Sequence, residues 1–436
     1  MEKTPVRTPR GVKDFLPPEA EEKRAIEEKV RALFTLWGYR EVITPTLEFA
    51  EVLSRANGGR LEEQSFRFFD REGEVLTLRS DVTAPIARLV ATRLVQHPLP
   101  LRLFYIANVF RHGETGVGRH REFYQAGVEL IGAREPRADA EIVLLSLLAL
   151  QAAGVPDVRV DVGHVGFFNA VLEDSGLHGE DEERIRRAAL RKDLVELEAI
   201  LVGRGVPPEG RRAVETLVRL RGGEEVLVEA RRLARGERAR EALADLEEIW
   251  AVLEASEARG RVWLDLGMVK DLAYYTGLVL EGYAPQLGFT LCTGGRYDRL
   301  IGQFDSHSLP AVGFALGVER VMQVLSLAGR RVAQPRPALL LVAEGAAEAE
   351  VSALAGRIRA AGVVVAREVV ERGAEERMLY ARGSGLRGIL TCRGEWKGGR
   401  LALYFWPVES TLPLPGEQIW DIMDLLKLMQ RGDEQR

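Results

Sequence analysis

The sequence has few of the features that mark secreted, membrane or metal-binding proteins. Its 436 residues include only two cysteines, Cys292 and Cys392, which stand far apart in unrelated contexts. Such a pair indicates neither a disulfide framework nor a zinc site. No apolar run approaches the roughly 20 residues that a bilayer-spanning helix needs, and no apolar signal core follows the first residues. We therefore expect a cytoplasmic protein without a membrane partner.

A basic excess is also missing. Asp and Glu outnumber Lys and Arg by 65 to 60, which gives a formal net charge of −5. Nucleic-acid binding depends on neutralising phosphates and usually leaves a basic excess or stripe, so the charge balance argues against a protein that mainly grips a polyanion. A hydrophobic content of 46% with 29% charged residues is typical of globular proteins, and the length suffices for two or three domains.

The stretch that organises the chain is 103–132, where two apolar runs flank a glycine-bearing loop and predict a long-looped β-hairpin. Side chains alternate faces along a strand, so the second strand places Phe123, Gln125, Gly127 and Glu129 on one face. Burying Gln and Glu is costly unless something polar lies beside them, which makes this strand a candidate pocket floor. Arg111, at the loop end, could fork onto a phosphate or carboxylate. A plain hairpin with an Arg111–Glu129 pair is the structural alternative.

Before the hairpin, helical and extended patterns alternate. Apolar spacing in 18–37 predicts an amphipathic helix that Gly38 ends. The next stretch, 39–48, is typical of a strand, but Pro45 interrupts it and restricts it to an edge or irregular position.

A second hairpin is predicted within 65–78. Asp81 and Thr83 then stand where a helix begins. Capping of that helix is therefore one possible function of Asp81, and contact with a ligand is the other. After the central hairpin, 139–150 is an apolar helix. We interpret His164, which follows a strand-like run, as a capping or packing residue rather than a catalytic base.

The second half of the chain contains three patterned regions before a linker at 329–337. The composition of 173–259 indicates an all-helical insertion whose charge runs are solvated faces. The stretches 262–283 and 289–298 predict an antiparallel strand pair. Consecutive glycines at Gly294 and Gly295 indicate backbone close to a ligand or a tight bend.

After the linker, 338–406 alternates strand and helix patterns, as expected of a small α/β domain. A last helix is predicted from Ile419 to Leu426. Upstream of the linker, Arg320 falls in the first turn of a helix, where a cation opposes the helix dipole and needs a compensating acid or ligand phosphate.

These segments together resemble the class II aminoacyl-tRNA synthetases in their histidyl version. The central hairpin is similar to motif 2, F-R-x-E…G-R-x-R-x-F-x-Q-x-G-x-E. The stretch 39–48 resembles motif 1, 310–320 resembles motif 3, and 270–275 resembles the histidyl signature R-G-L-D-Y-Y. The resemblance covers nearly the whole chain with its motifs in order.

The resemblance implies an α+β fold: an antiparallel sheet flanked by helices, with a helical insertion and a C-terminal α/β domain. The implied domains are a histidine-binding domain at 1–329, which contains the insertion at about 173–259, and a domain at 338–436 that resembles an anticodon-binding domain. No cofactor and no metal are expected.

Three positions depart from the synthetase pattern. Gly113 stands where the family has a glutamate, Lys270 replaces an arginine, and Ala273 replaces an aspartate. Adenylation needs cationic donors placed on charge that develops at the α-phosphate, so these departures damage the adenylation half of the site. The residues that the resemblance assigns to holding histidine are kept, and they are Asp81, Thr83, Arg111, Gln125, Glu129, Tyr275 and Tyr297.

The resemblance implies one of two functions. The first is the regulatory subunit of ATP phosphoribosyltransferase, a synthetase paralogue with no catalysis of its own that senses histidine for feedback inhibition of histidine biosynthesis. The second is a working histidyl-tRNA synthetase, an ATP-dependent ligase. Joint loss of three adenylation positions beside a kept amino-acid pocket favours the first. A scaffold without a ligand would leave the polar pocket face unexplained.

The regulatory function implies particular partners. They are the short-form catalytic subunit of ATP phosphoribosyltransferase and histidine as a small-molecule effector. A homodimer, formed through the region of Pro45 and Thr46, would be the core of the hetero-oligomer. No tRNA partner is expected.

Overall fold

The computed structural model describes residues 7–57, 64–113, 120–270, 274–285, 288, 290–305, 308–332, 338–397, 400–408 and 417–419. Two compact units meet in sequence between Ala333 and Gln334. Ala273 lies outside the described residues, as does most of the last helix predicted from Ile419. None of the described helices is long and apolar enough to cross a bilayer.

The strands of the first unit carry its architecture. In chain order they are β1 (Arg40–Glu41), β2 (Leu47–Phe49), β3 (Arg67–Phe69), β4 (Val75–Leu78), β5 (Leu101–Phe110), β6 (Glu122–Ile131), β7 (Arg159–His164), β8 (Arg221–Gly222), β9 (Val262–Asp265), β10 (Leu278–Tyr283), β11 (Thr290–Arg296) and β12 (Ala311–Gly317).

Nine of these strands form one sheet in the order β1-β5-β6-β12-β11-β10-β7-β9-β8. The β1–β5 and β7–β9 pairs are parallel, and the other neighbours are antiparallel. The predicted central hairpin is confirmed as the β5–β6 pair, and the predicted pairing of 262–283 with 289–298 as β10 against β11.

The first unit also contains helices, several of which pack against this sheet. They are α1 (Pro17–Leu36), α2 (Ala50–Asn57), α3 (Thr83–Leu89), α4 (Pro136–Ala152), α5 (Val165–Asp174), α6 (Glu180–Leu190), α7 (Leu194–Gly203), α8 (Pro208–Arg219), α9 (Glu225–Leu233), α10 (Glu237–Glu254) and α11 (Val318–Leu327).

Helix α1 illustrates how local sequence sets these elements. Proline is tolerated in the first turn because its missing N–H has no intrahelical partner there. Ile26, Val30 and Phe34 fall on one face and are fully buried. The following Gly38 has a φ of +81°, a left-handed conformation that glycine adopts without steric cost. The prediction for 18–37 is confirmed.

The stretch 39–48 forms two strands, β1 and β2, with Pro45 between them, as the proline predicted. β2 joins β4 and β3 in a separate three-stranded sheet, whose β3–β4 pair is the hairpin predicted within 65–78. Apolar side chains of this small sheet are exposed: Phe69 is 74% exposed, Leu47 47% and Phe49 46%.

The stretch predicted to be all-helical, 173–259, is not entirely so. It contains α6 to α10, but Arg221–Gly222 forms strand β8, which pairs with β9 at the edge of the main sheet. Helices α4 and α10 pack together under one face of the sheet, within a continuous apolar core. A strand of two residues is too short to change the composition of a helical region, so the sequence did not predict it.

The second unit is the predicted α/β domain. It contains β13 (Ala338–Glu344), α12 (Glu348–Ala360), β14 (Val364–Arg367), α13 (Ala374–Gly383), β15 (Gly388–Lys397), β16 (Arg400–Pro407) and β17 (Glu417–Ile419). The sheet order is β14-β13-β15-β16-β17, with β14, β13 and β15 parallel and the rest antiparallel. Ile419 ends a strand rather than beginning a helix.

Candidate functional site

A buried carboxylate lies at the centre of the candidate site. Glu129, on β6, is 2% exposed. Its Oε1 accepts a hydrogen bond from Thr83 Oγ1 at 2.9 Å, and its Oε2 accepts one from the Tyr297 hydroxyl. Thr83 comes from the first turn of α3 and Tyr297 follows β11, so three distant segments meet at this side chain. Among the described residues, no Lys, Arg or His forms an ion pair with Glu129.

Burial makes this carboxylate unusually basic. Desolvation raises the pKa of Glu129 to about 8, against the lowering effect of its hydrogen bonds to Tyr297 and Thr83. The charge of nearby Asp81, itself 6% exposed, acts in the same direction as burial. A cation entering this space would restore the ionised form, because an opposite charge favours it.

Four tyrosines surround Glu129. Besides Tyr297, Tyr105 is 2% exposed, and the rings of Tyr274 and Tyr275 are in edge contact at 4.8 Å. The Tyr274 ring also meets Tyr297 at 5.9 Å. Desolvation raises the pKa of all four hydroxyls, so each is neutral. The Tyr297 hydroxyl donates to Glu129, and the Tyr275 hydroxyl can donate to a ligand.

Glycines beside these side chains make room for them. A Cβ on Gly313 would collide with Oε2 of Glu129, and a Cβ on Gly295 would lie 2.8 Å from the Tyr275 ring. The sequence predicted that Gly294 and Gly295 either bring the backbone close to a ligand or form a tight bend. The structure shows instead that these glycines admit the neighbouring strand backbone, the Tyr275 ring and, at Gly294, Phe314.

Asp81 caps helix α3: its Oδ1 accepts a hydrogen bond from the backbone N–H of Ala84 at 2.9 Å. The capping alternative is therefore realised, while the residue also faces the Glu129 cluster closely enough to affect its pKa. Next to it, Ser80 Oγ is buried and has no hydrogen-bond partner in the described part of the protein.

Arg111 does not pair with Glu129, so the ion pair expected of a plain hairpin is not formed. Its Nε donates to the carbonyl of Ser80 at 2.8 Å, and its guanidinium lies 5.4 Å from the Phe123 ring. Desolvation raises the pKa of the Tyr275 hydroxyl, and the positive charge of Arg111 opposes that shift. Gln125 shares the β6 face with Glu129, four residues away, and is half-buried. The site thus has an acidic end and a basic end.

Two of the three degenerate synthetase positions, Lys270 and Gly113, are within the described residues. Lys270 is turned to Glu281 of β10, with which it forms an ion pair. Desolvation lowers the pKa of its ammonium, and the Glu281 charge opposes that shift. Gly113 is the last described residue after β5, and a Cβ at this position would have no described atom within 4 Å.

Sequence reasoning missed Tyr105, Tyr274 and Ser80. Tyr105 could have been found, because it is opposite Gly127 in the hairpin register and so shares the pocket face. His164 was interpreted correctly: it is buried, and its Nδ1 accepts the backbone N–H of Phe167 at 3.1 Å, which caps α5. A compensating acid or ligand phosphate was predicted for Arg320. In the structure, its guanidinium donates a hydrogen bond to the carbonyl of Thr290 at 2.7 Å.

The chain is similar to two named groups of proteins. A family model described as histidyl-tRNA synthetase matches residues 11–321. A protein named ATP phosphoribosyltransferase regulatory subunit in Moorella thermoacetica is 46% identical over 73% of this chain and 82% of its own length. One of the same name in Desulforamulus reducens is 39% identical over 90% of this chain and 97% of its own.

Solved structures agree with these matches. A crystal structure from Bacillus halodurans, described as an ATP phosphoribosyltransferase regulatory subunit/histidyl-tRNA synthetase, is 34% identical with a TM-score of 0.79, covering 90% of this chain and all of that one. A histidyl-tRNA synthetase from a Nostoc species has the same TM-score at 21% identity, with 98% and 100% coverage, and shows the shared fold alone. The predicted class II synthetase-like fold is confirmed, and the chain belongs to the family of ATP phosphoribosyltransferase regulatory subunits within the histidyl-tRNA synthetase fold.

Proposed function

We propose that this protein is a histidine sensor that regulates ATP phosphoribosyltransferase and catalyses nothing itself. The observation that carries the proposal is the buried Glu129 carboxylate, which Thr83 and Tyr297 hold in place without a cationic partner among the described residues. A buried polar cluster of this kind is costly unless a ligand completes it.

Free histidine has the groups that this cluster lacks. Its ammonium or imidazole N–H suits Glu129 and Asp81, and its carboxylate suits Arg111, whose remaining guanidinium donors are suited to an acid. Gln125 and Tyr275 stand on the same side and can add hydrogen bonds. The orphan hydroxyl of Ser80 offers one more donor close to Arg111.

The geometry at the degenerate positions argues against adenylation. A catalytic cation at position 270 would have to be aimed at the α-phosphate, whereas Lys270 is buried against Glu281. Lysine also lacks the planar fork of the arginine it replaces. Gly113 offers no side chain, and the third changed position, Ala273, carries no polar group.

A protein that binds a ligand without transforming it acts only through linkage to another equilibrium. The relatives' name points to a catalytic subunit of ATP phosphoribosyltransferase as that partner, and we propose that it is the short-form subunit. We propose a cytoplasmic hetero-oligomer in which this chain activates the catalytic subunit and histidine reverses the activation. Its core would be a homodimer formed around Pro45 and Thr46, where Ile43 is 88% exposed beside the apolar side chains of the three-stranded sheet.

The test is phosphoribosyl transfer by the mixed subunits. The catalytic subunit alone should be poorly active, this chain should activate it, and histidine should inhibit the complex. Glu129→Gln should keep activation but require a much higher histidine concentration for inhibition. Equal inhibition of the wild-type and Glu129→Gln complexes at the same histidine concentration would place the sensor elsewhere.

A further inference from the structure

A second polar cavity lies on the opposite face of the main sheet from Glu129. Its volume is about 370 Å³, and it is enclosed by α4, α10 and the segment after β11. Two consecutive residues contact opposite faces of the sheet. Tyr297 bonds to Glu129 on one face, and Arg296 bonds to Asp139 of α4 on the other. The volume falls within the ~300 to 1,000 Å³ that small-molecule sites occupy.

At the floor of the cavity, one guanidinium lies between two carboxylates. The Arg296 guanidinium binds Asp139 through Nε at 3.0 Å and Nη2 at 2.7 Å, and Asp298 through Nη1 at 3.1 Å. It also donates to the carbonyl of Ala133. These contacts engage Arg296 fully and leave one more carboxylate than guanidinium at the floor, so a ligand would meet the other groups of the lining.

One of these other groups is deeply buried. His164 is 7% exposed and lines the cavity. Because its Nδ1 accepts the Phe167 N–H, the proton of the neutral imidazole is on Nε2. That Nε2–H is a donor without a hydrogen-bond partner in the described part of the protein. This N–H can donate to an acceptor that enters the cavity.

Three further groups at the rim are unpaired within the described residues. Arg134 and Arg299 line the cavity and form no ion pair there, and the same holds for Asp245 of α10. Two guanidiniums and an imidazole N–H offer more donors than a two-oxygen carboxylate uses, and they suit the three oxygens of a phosphate. The Asp245 carboxylate beside them repels a bare anion. It can, however, accept a hydrogen bond from a sugar hydroxyl, as acidic residues do from ribose.

We propose that this cavity binds the phosphate monoester of a hydroxylated sugar, free or as part of a nucleotide. Arg134 and Arg299 hold the phosphate, His164 Nε2–H donates to one of its oxygens, and Asp245 accepts from a sugar hydroxyl. The site is separate from the histidine pocket, with strand β11 between them.

Calorimetric titration of the full-length protein with ribose 5-phosphate tests the proposal. A Kd below about 1 mM is expected, with no binding of ribose and weaker binding of inorganic phosphate. Arg134→Gln and Arg299→Gln should each weaken binding about tenfold or more. The matched control is Arg137→Gln, which removes an exposed arginine of α4 that does not line the cavity and should leave the Kd within about twofold.

Two more variants separate the elements of the proposal. Asp245→Ala should reduce the preference for ribose 5-phosphate over inorganic phosphate. His164→Asn should weaken binding while keeping the α5 cap, because asparagine is a good N-cap residue. Glu129→Gln, on the other face, should not change the Kd, so failure of the histidine proposal would leave this one standing. No binding of ribose 5-phosphate, or equal loss in Arg137→Gln, would overturn it.

Discussion

Histidine binding should release a proton from Glu129, and this is the sharpest test of the pocket. With a pKa of about 8, roughly 0.9 of the Glu129 carboxyls carry a proton at pH 7. Pairing with the ligand's cation requires the carboxylate, so ionising it at pH 7 costs about 1.4 kcal/mol. Replacing it by glutamine removes the buried charge partner, which should weaken histidine binding by ~2 to 4 kcal/mol.

The assay is isothermal titration calorimetry of histidine binding in two buffers with different ionisation enthalpies. The difference between the apparent enthalpies gives the number of protons released. Free histidine also titrates near neutral pH, so the quantity to compare is wild type minus Glu129→Gln. We expect a difference of about 0.9 proton at pH 7, about 0.5 at pH 8 and about 0.1 at pH 9.

Two results would refute this reasoning. If wild type and Glu129→Gln release the same number of protons, Glu129 is not the group that meets the ligand's cation. If they differ in proton release but bind histidine equally well, the carboxylate ionises without contributing to affinity. Thr83→Val is a useful companion, because it removes one hydrogen bond to Oε1 while leaving the carboxylate in place.

Three other predictions follow from the same structure. The folded-state pKa of Glu129 is raised from 4.5 to about 8, so stability is lost as pH rises between these values. Glu129→Gln should therefore stabilise the protein by about 4 kcal/mol at pH 8 but not at pH 4.5, as measured by urea unfolding. Histidine-dependent ATP–pyrophosphate exchange should stay negligible in the wild type and in Lys270→Arg with Gly113→Glu; synthetase-like rates of about 1 per second or more in the wild type would contradict the proposed function. Phe69→Asp should convert the proposed dimer into monomers in analytical ultracentrifugation, whereas Val195→Asp, at an 80% exposed position of α7, should not.

Local sequence was enough to predict most of the elements. The helix in 18–37, the central hairpin and the strand–helix alternation after residue 338 all follow from apolar spacing and from glycine and proline positions, which act over a few residues. The cap at His164 was foreseeable for the same reason. The departures at Gly113 and Lys270 were also visible without a structure, since they are single-residue differences from a family motif.

The contacts that make the pocket were not foreseeable from local pattern. Glu129 meets Tyr297 168 residues further along the chain and Thr83 46 residues before it. Alternation along β6 said only which face Glu129 takes. Whether that face is dry, and which donors reach the carboxylate, depends on strand order and on loops that approach from elsewhere in the sheet.

By itself, the sequence determined most of the elements, the family and the damaged synthetase motifs, because these are encoded in short-range spacing and residue identity. Only the tertiary structure decided that Lys270 is bound to Glu281, that Arg111 contacts Ser80 rather than Glu129, and that Arg296 and Tyr297 serve opposite faces of the sheet. The physical reason is that charge pairing and desolvation depend on distances between segments remote in sequence, which the fold alone fixes.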